Sequence, residues 1–310
     1  MASATLLIPV LASAQGTYPS KPVHFVVPFA AGGESDIVAR QIATKLGALR
    51  GYTVIVDNFP GAGGNLGAEK ALKEPADGYT FLVISGAYAA NAAVTKPNFD
   101  PVAVIQPVIQ FSTQPSVLVT NLKYTSVQQL LDTARKSPGT VNYGSAGIGS
   151  LGHLSNENFA MVTGVSLNHI PYKGTSGAVT DLAGGQIDMM FAGVTGARAL
   201  AKGGKIRMLA VTSPKRLPVL PDVPTLLESG ISYESGLWHG LVASKGVPVS
   251  IIEKMNADLN AVLRDPDVVS RFNAELLTPA GGTPKAFKEV ITNELDRLQR
   301  IVKAANVKPQ

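Results

Sequence analysis

The chain has 310 residues, with 27 Lys and Arg against 22 Asp and Glu, a net charge of +5 and no cysteine. At 45% hydrophobic and 16% charged it is long enough for two domains of ordinary size. Disulfides, a thiolate nucleophile and zinc–thiolate sites are excluded. The basic residues are scattered and no basic run is interleaved with aromatics, which argues against nucleic acid as a partner.

Residues 1–14 read as a signal peptide, with an apolar core at 6–11 and an Ala12-Ser13-Ala14 cleavage site before Gln15. The basic start of such a segment is missing, so a truncated precursor and an exported protein are expected. No later run reaches the ~20 apolar residues of a membrane span.

Residues 23–27 (VHFVV) predict a short buried strand. Gly32 and Gly33 then make a turn, and Val38, Ile42, Leu46 and Leu49 recur at helical spacing, with Ser35 or Asp36 as the cap. A glycine turn between the C-terminal end of a strand and the N-terminal end of a helix is a ready anion site. The first N–H groups of the helix have no partner within it, and the helix dipole adds partial positive charge.

The pattern recurs along the chain. Residues 53–58 predict a strand, GAGG (61–64) a second turn and 68–72 a helix. A third strand at 80–84 ends in Ser85-Gly86-Ala87, a further loop on the same edge. Residues 98–114 read as a crossover, 117–120 as a strand and 126–136 as a helix. VNYGSAGIGSLG (141–152) then repeats strand, glycine loop and helix, the helix running through 153–162. A strand at 166–170 leads into YKGT (172–175), followed by a helix at 178–182, a strand at 187–191, a loop at 193–196 and a strand at 206–212. Residues 213–230 are proline-rich, and 233–242 read as a return crossing. Two amphipathic helices, 250–263 and 284–304, close the chain and are expected to pack on the first half. The fold class is therefore α/β and two-lobed, with each lobe a mixed sheet flanked by helices. Lobe one takes residues 18–114 plus 236–310, and lobe two takes 115–235. Ligands of open α/β sheets bind outside the carboxyl ends of the strands, so one ligand is expected in the cleft between lobes that two crossings hinge together.

Gly147-x-Gly149-x-x-Gly152 matches the dinucleotide fingerprint, but no acidic residue follows at the end of the next strand to hold a ribose. A smaller anion explains the glycines as well. The four histidines, His24, His153, His169 and His239, are dispersed without metal-ligand spacing, and no cofactor is implied. His153 stands out because it falls in the first turn of the helix after the second glycine loop. No G-x-S-x-G elbow is present. Asp36 reads either as a ligand contact or as a brace. Glu34 is unusual in an anion loop, reading either as solvent-facing or as facing a ligand amine or disfavouring highly charged anions.

PFAAGGESDIVAR (28–40), PGAGGNLG (60–67), PADGYT (75–80), NYGSAGIGSLGHL (142–154), HIPYKGT (169–175), GGQIDMMF (184–191) and LAVTSPKRLPVLPDVPTLLESG (209–230) together resemble the Bug family. These are the TctC-like extracytoplasmic solute receptors of tripartite tricarboxylate transporters. The resemblance implies a monomeric periplasmic binding protein of the two-lobed, type II kind. It would capture a small mono- or dicarboxylate and deliver it to one large and one small membrane subunit. Carried over residue by residue, the ligand loops are Phe29, Ala30, Ala31, Gly32 and Gly33 with Asp36; Ala62, Gly63 and Gly64; and Ser85, Gly86 and Ala87. In the second lobe they are Ser145, Gly147, Gly149 and Ser150 with His153, and Lys173, Gly174 and Thr175. The family often has proline where Ala31 stands, a small residue at Glu34 and aspartate at Ala192. Two alternatives stay open from the sequence. One is an enzyme on the same scaffold using Asp36, His153 or Lys173; the other is a ligand-dependent receptor for a periplasmic sensor domain.

Overall fold

Parallel strands covered on both faces are continuous apolar runs, and Val23–Val27 is one: it forms β1 at the heart of the first lobe of the computed structural model, which describes residues 18–95, 100–233 and 235–308. The segment expected to be a signal peptide lies outside the described residues. β1 pairs in parallel with β2 (Val54–Asn58) on one side and β3 (Thr80–Ser85) on the other. Between them run α1 (Glu34–Arg50), a 3-10 turn at Ala62–Gly64 and α2 (Asn65–Lys73). α1 buries Val38, Ile42 and Leu46 against the sheet, as their spacing predicts, while Leu49, expected on the same stripe, lies exposed in the last turn. It ends at Gly51, whose φ of 71° makes the left-handed turn that closes a helix.

α3 (Gly86–Thr95) leaves directly from the end of β3. Ser85-Gly86-Ala87 is thus the start of a helix and not a free loop. Its alanine-rich sequence has no polar–apolar period to reveal it, because it is covered on more than one side. The crossover expected over 98–114 is also different. Residues 105–114 belong to β4 (Ile105–Thr120), a 16-residue strand that passes from one lobe into the other. β9 (Gly236–Ser244) pairs antiparallel with β4 from Ile105 to Pro115. Beyond that point β4 pairs with β7 (Met189–Gly193) and β8 (Arg207–Val211). Register shifts near Pro107 accommodate a residue that cannot donate to a ladder.

The second lobe follows with α4 (Val127–Lys136), β5 (Asn142–Ser145), α5 (Leu151–Thr163), β6 (Asn168–Pro171), α6 (Thr175–Ala183), β7, α7 (Val194–Lys202) and β8. Residues 193–196, expected to be a loop, open α7 instead, with Gly193 as its N-cap. After β9 come α8 (Val249–Leu263), α9 (Pro266–Ala274), β10 (Thr278–Gly281) and α10 (Pro284–Ala304). The described strands run in the order β2-β1-β3-β9-β4-β7-β5-β6, with β8 and β10 also on β4.

Each lobe has its own core. One surrounds Phe25, Phe81, Phe111 and Phe272. The others surround Tyr143, Phe159 and Tyr233, and Val117, Ile187 and Ile206. α10 does more than cover lobe one. Its Leu295, Leu298 and Ile301 pack with Ala89 and Ala93 of α3 and with Leu154 of α5, so it touches both lobes.

Candidate binding cleft

The parallel strands of each lobe end at one cleft of about 880 Å³. Lobe one supplies Phe29 after β1, Ala62, Gly63 and Asn65 at the 3-10 turn, and one face of α3 with Ala87, Asn91 and Thr95. Lobe two supplies residues 146–150 after β5, Leu151 at the start of α5, and Pro171, Tyr172 and Lys173 after β6. Among the described residues, Lys173 is the one charged side chain in the lining, and no carboxylate lines it. The rest is glycine and alanine backbone with Asn65, Asn91, Thr95 and Ser150, walled by the apolar Phe29, Val94, Ile148 and Leu151 and by Pro171 and Tyr172. This is the character expected of a site that holds an anion with fixed dipoles rather than with ion pairs.

Of the residues anticipated from the sequence, Phe29, Ala62, Gly63, Ala87, Gly147, Gly149, Ser150 and Lys173 line this cleft. Ala30, Ala31, Gly32 and Gly33 lie exposed on the loop before α1, outside the lining. Gly64, Gly86 and Ser145 are buried behind the surface, and Ser85 is half-buried. Gly174 and Thr175 begin α6 just past Lys173. Ala146 and Ile148 belong to the loop anticipated over 145–150, whereas Leu151, Tyr172 and the α3 residues Asn91 and Thr95 were not anticipated. The α3 residues were missed because the helix itself was; Tyr172 lies inside the quoted motif beside Lys173.

Asp36 lies outside the lining and is 2% exposed. Its carboxylate accepts from the Gly32 N–H (2.8 Å), Asn58 Nδ2 (2.9 Å) and Arg40 Nε (3.0 Å). Burial works to raise its pKa, but the hydrogen bonds from Arg40, Gly32 and Asn58 outweigh burial and hold it below the ordinary value. Gly33, not Ser35 or Asp36, occupies the N-cap of α1. Asp36, three residues on, reaches back to the glycine that precedes the cap. Glu34 opens α1 outside the lining, where desolvation and then the Glu275 carboxylate raise its pKa.

His153 is likewise 6% exposed and set behind the lining. Its Nδ1 accepts from the Gly149 N–H at 3.0 Å, while Ser150 caps α5 by accepting from the His153 N–H at 3.2 Å. Its ring stacks on His169 at 3.9 Å and 9°. His169 stacks in turn on Tyr143 at 4.8 Å and 14°. Burial, and for His153 also the neighbouring His169, lowers both imidazole pKa values to about 4. Tyr143 donates to Glu157 Oε1, and burial followed by that carboxylate pushes its phenol far up.

The two lips meet at glycines. A Cβ on Gly149, whose φ is 78°, would stand 3.0 Å from Val94 Cγ1 of α3. One on Gly86 would stand 3.0 Å from Leu151 Cδ2 of α5. Asn91 of α3 donates to the Gly63 carbonyl and ties the helix to the GAGG turn.

Two α/β lobes on crossing strands, with a cleft at the strand ends, define a two-lobed solute-binding protein. The chain belongs to the tripartite tricarboxylate transporter receptor family (TctC), whose model matches residues 38–307. It is 34% identical over 314 residues to BugT of Bordetella pertussis, covering 99% of this chain and 95% of that protein. Among solved structures, Rpa4515 of R. palustris with adipate is 34% identical with a TM-score of 0.82, covering 94% of this chain and 100% of that one. MatC of Rhodopseudomonas palustris with bound malate is 28% identical with a TM-score of 0.78, covering 92% of this chain and 100% of that one. The family is one of periplasmic solute-binding receptors and not of enzymes.

Proposed function

We propose that this protein captures a small mono- or dicarboxylate between its lobes and delivers it to the large and small membrane subunits of a tripartite tricarboxylate-type transporter. The observation that carries this reading is the cleft's lining: glycine loops and helix starts from both lobes and, among the described residues, one lysine and no acid. A carboxylate there meets backbone N–H groups and Lys173 with no opposing charge. A handful of charge-assisted hydrogen bonds at ~1.5–3 kcal/mol each, less the cost of association and closure, corresponds to about micromolar affinity. The relatives solved with adipate and malate are dicarboxylate complexes and support this ligand class.

The residues proposed to touch ligand are Phe29, Ala62, Gly63, Ala87, Asn91, Gly147, Gly149, Ser150 and Lys173. Asp36 and His153 act from behind. The proposed lobes are residues 18–114 with 236–310, and 115–235, hinged where β4 and β9 cross. The enzyme reading would need its acid–base candidates in one place. Asp36 and His153 are instead each bonded within their own lobe, behind the surface that Lys173 lines.

A thermal-shift screen tests the proposal, using adipate, malate, other mono- and dicarboxylates, amino acids, sugars and nucleotides. A ligand at a hundredfold excess over Kd raises apparent stability by ~2.7 kcal/mol. Stabilisation by carboxylates that are recovered unchanged supports the receptor reading. Response to nucleotides alone, or conversion of the ligand, refutes it.

A further inference from the structure

The two lobes build their first glycine loop in the same way. In lobe one, Gly32 (φ 79°) precedes the N-cap of α1, and Asp36 accepts its N–H at 2.8 Å. In lobe two, Gly149 (φ 78°) precedes the N-cap of α5, and His153 accepts its N–H at 3.0 Å. Asp36 and His153 stand at the same place, the third residue of their helix. Both glycines are in the left-handed region, so the loop shape depends on what holds that amide.

The acceptors differ in one respect. A carboxylate held below its ordinary pKa keeps its lone pairs through mild acid. An imidazole loses its acceptor when it takes up a proton. Gly149 N–H can only donate, so His153 Nδ1 is bare and its proton sits on Nε2, 3.9 Å from Glu157 Oε1. Ser145 Oγ gives its own proton to the Gly147 carbonyl at 3.0 Å and accepts from the Gly147 N–H at 3.1 Å. Its 2.7 Å contact with His169 Nε2 fits either direction by distance; with the hydroxyl proton on the Gly147 carbonyl it is one that Ser145 accepts, which places the His169 proton on Nε2. Both rings are neutral in this arrangement, which suits two imidazoles 3.9 Å apart.

We infer that the neutral His153–His169 stack positions the ligand loop at 146–150, His153 by accepting from Gly149 and His169 by donating to Ser145, so that protonation of His153 releases the loop and its ligand. Gly149 lies against Val94 across the cleft, so releasing it also loosens the meeting of the lobes. Among the described residues, the titratable groups that face His153 are Tyr143 on β5, Glu157 on α5 and His169 on β6. Burial and the stacked partner keep His153 neutral down to about pH 4. The aspartate loop of lobe one stays in place across the same range.

The inference rests on the carboxylate-receptor reading, and the experiment separates the two. Side-chain 15N NMR of the full chain without ligand reports the tautomers directly, with protons expected on Nε2 of both His153 and His169. Titration calorimetry with adipate and malate then compares the wild type with His153→Asn and His153→Gln from pH 7 to pH 4. Asn offers a non-titrating oxygen near the place of Nδ1, and affinity within about threefold of wild type is expected at pH 7. Gln moves its amide toward the place of Nε2, and a loss of about tenfold or more is expected. Dividing variant by wild-type affinity at each pH cancels the ligand's own titration. On that ratio the wild type weakens relative to His153→Asn as pH falls toward 4. A proton on Nδ1 of His153, or a Gln variant that matches wild type in affinity and pH profile, overturns the inference. If neither carboxylate binds wild type while the tautomers are as expected, the receptor reading of the ligand fails and the positioning of the loop stands on the NMR alone.

Discussion

Gly67, buried in the first turn of α2, is where that helix comes closest to the ligand loops of lobe one. A Cβ there would stand 2.6 Å from the Phe59 carbonyl oxygen, 2.7 Å from Pro28 Cα and 2.8 Å from Pro28 Cβ. Ordinary contact begins near 3.4 Å, so in Gly67→Ala the helix has to retreat by about 0.8 Å (3.4 minus 2.6). Two of the three atoms are backbone, and no rotamer change relieves them. Overpacking of this kind costs ~1–3 kcal/mol, and the backbone neighbours place this case at the upper end. Alanine returns up to ~1 kcal/mol of helix propensity. The net expectation is a loss of ~1–2 kcal/mol, a fall in Tm of about 2–3 °C, with weaker ligand binding because Phe29 and Ala62 are displaced. Gly196, in α7, provides the control: a Cβ there meets nothing within 4 Å, so Gly196→Ala is expected to raise stability by up to ~1 kcal/mol. Scanning calorimetry and urea melts of both variants make the measurement. If both shift Tm in the same direction, the close approach of α2 to Pro28 and Phe59 is refuted.

Asp36→Ala leaves the Gly32 amide, Asn58 and Arg40 without their shared acceptor and is expected to cost ~1–3 kcal/mol; an unchanged urea midpoint contradicts that bracing role. Stability is also expected to fall in mild acid. His153, His169 and His239 have folded pKa values near 4 against 6.5, so the unfolded chain binds more protons between those values. Their contribution is complete above pH 6.5 and is lost as pH falls toward 4, by at most ~3 kcal/mol for each fully buried ring and less for the half-buried His169. Urea melts at pH 7 and pH 4.5 check this, and equal midpoints contradict it.

Much of the first lobe's ligand edge was readable because it is local. β1, α1 and the GAGG turn follow from an apolar run, a 3.6-residue period and glycines within a few residues of one another. The same holds for β5, the 146–150 loop and α5. Failure came where an element's character depends on distant neighbours. α3 is alanine-rich and packed between α10 and α5, so its burial leaves no stripe to read. β4 contains Pro107 and Pro115, which signal loop locally and are tolerated only because its partner strands shift register or change there. The lobe boundary looked like a linker for the same reason.

The sequence by itself therefore determined the α/β class, the glycine turns at strand ends and the family whose motifs they carry, because propensity, periodicity and turn chemistry act over a few residues. Only the tertiary structure decided which residues face the cleft. Asp36 and His153 sit in the same position of matching helices and look like ligand groups in the chain. Folding turns both inward to hold a glycine amide, while Asn91, Thr95 and Tyr172 take the exposed wall. A side chain's direction is set by what packs behind it, and here that packing comes from segments far apart in sequence.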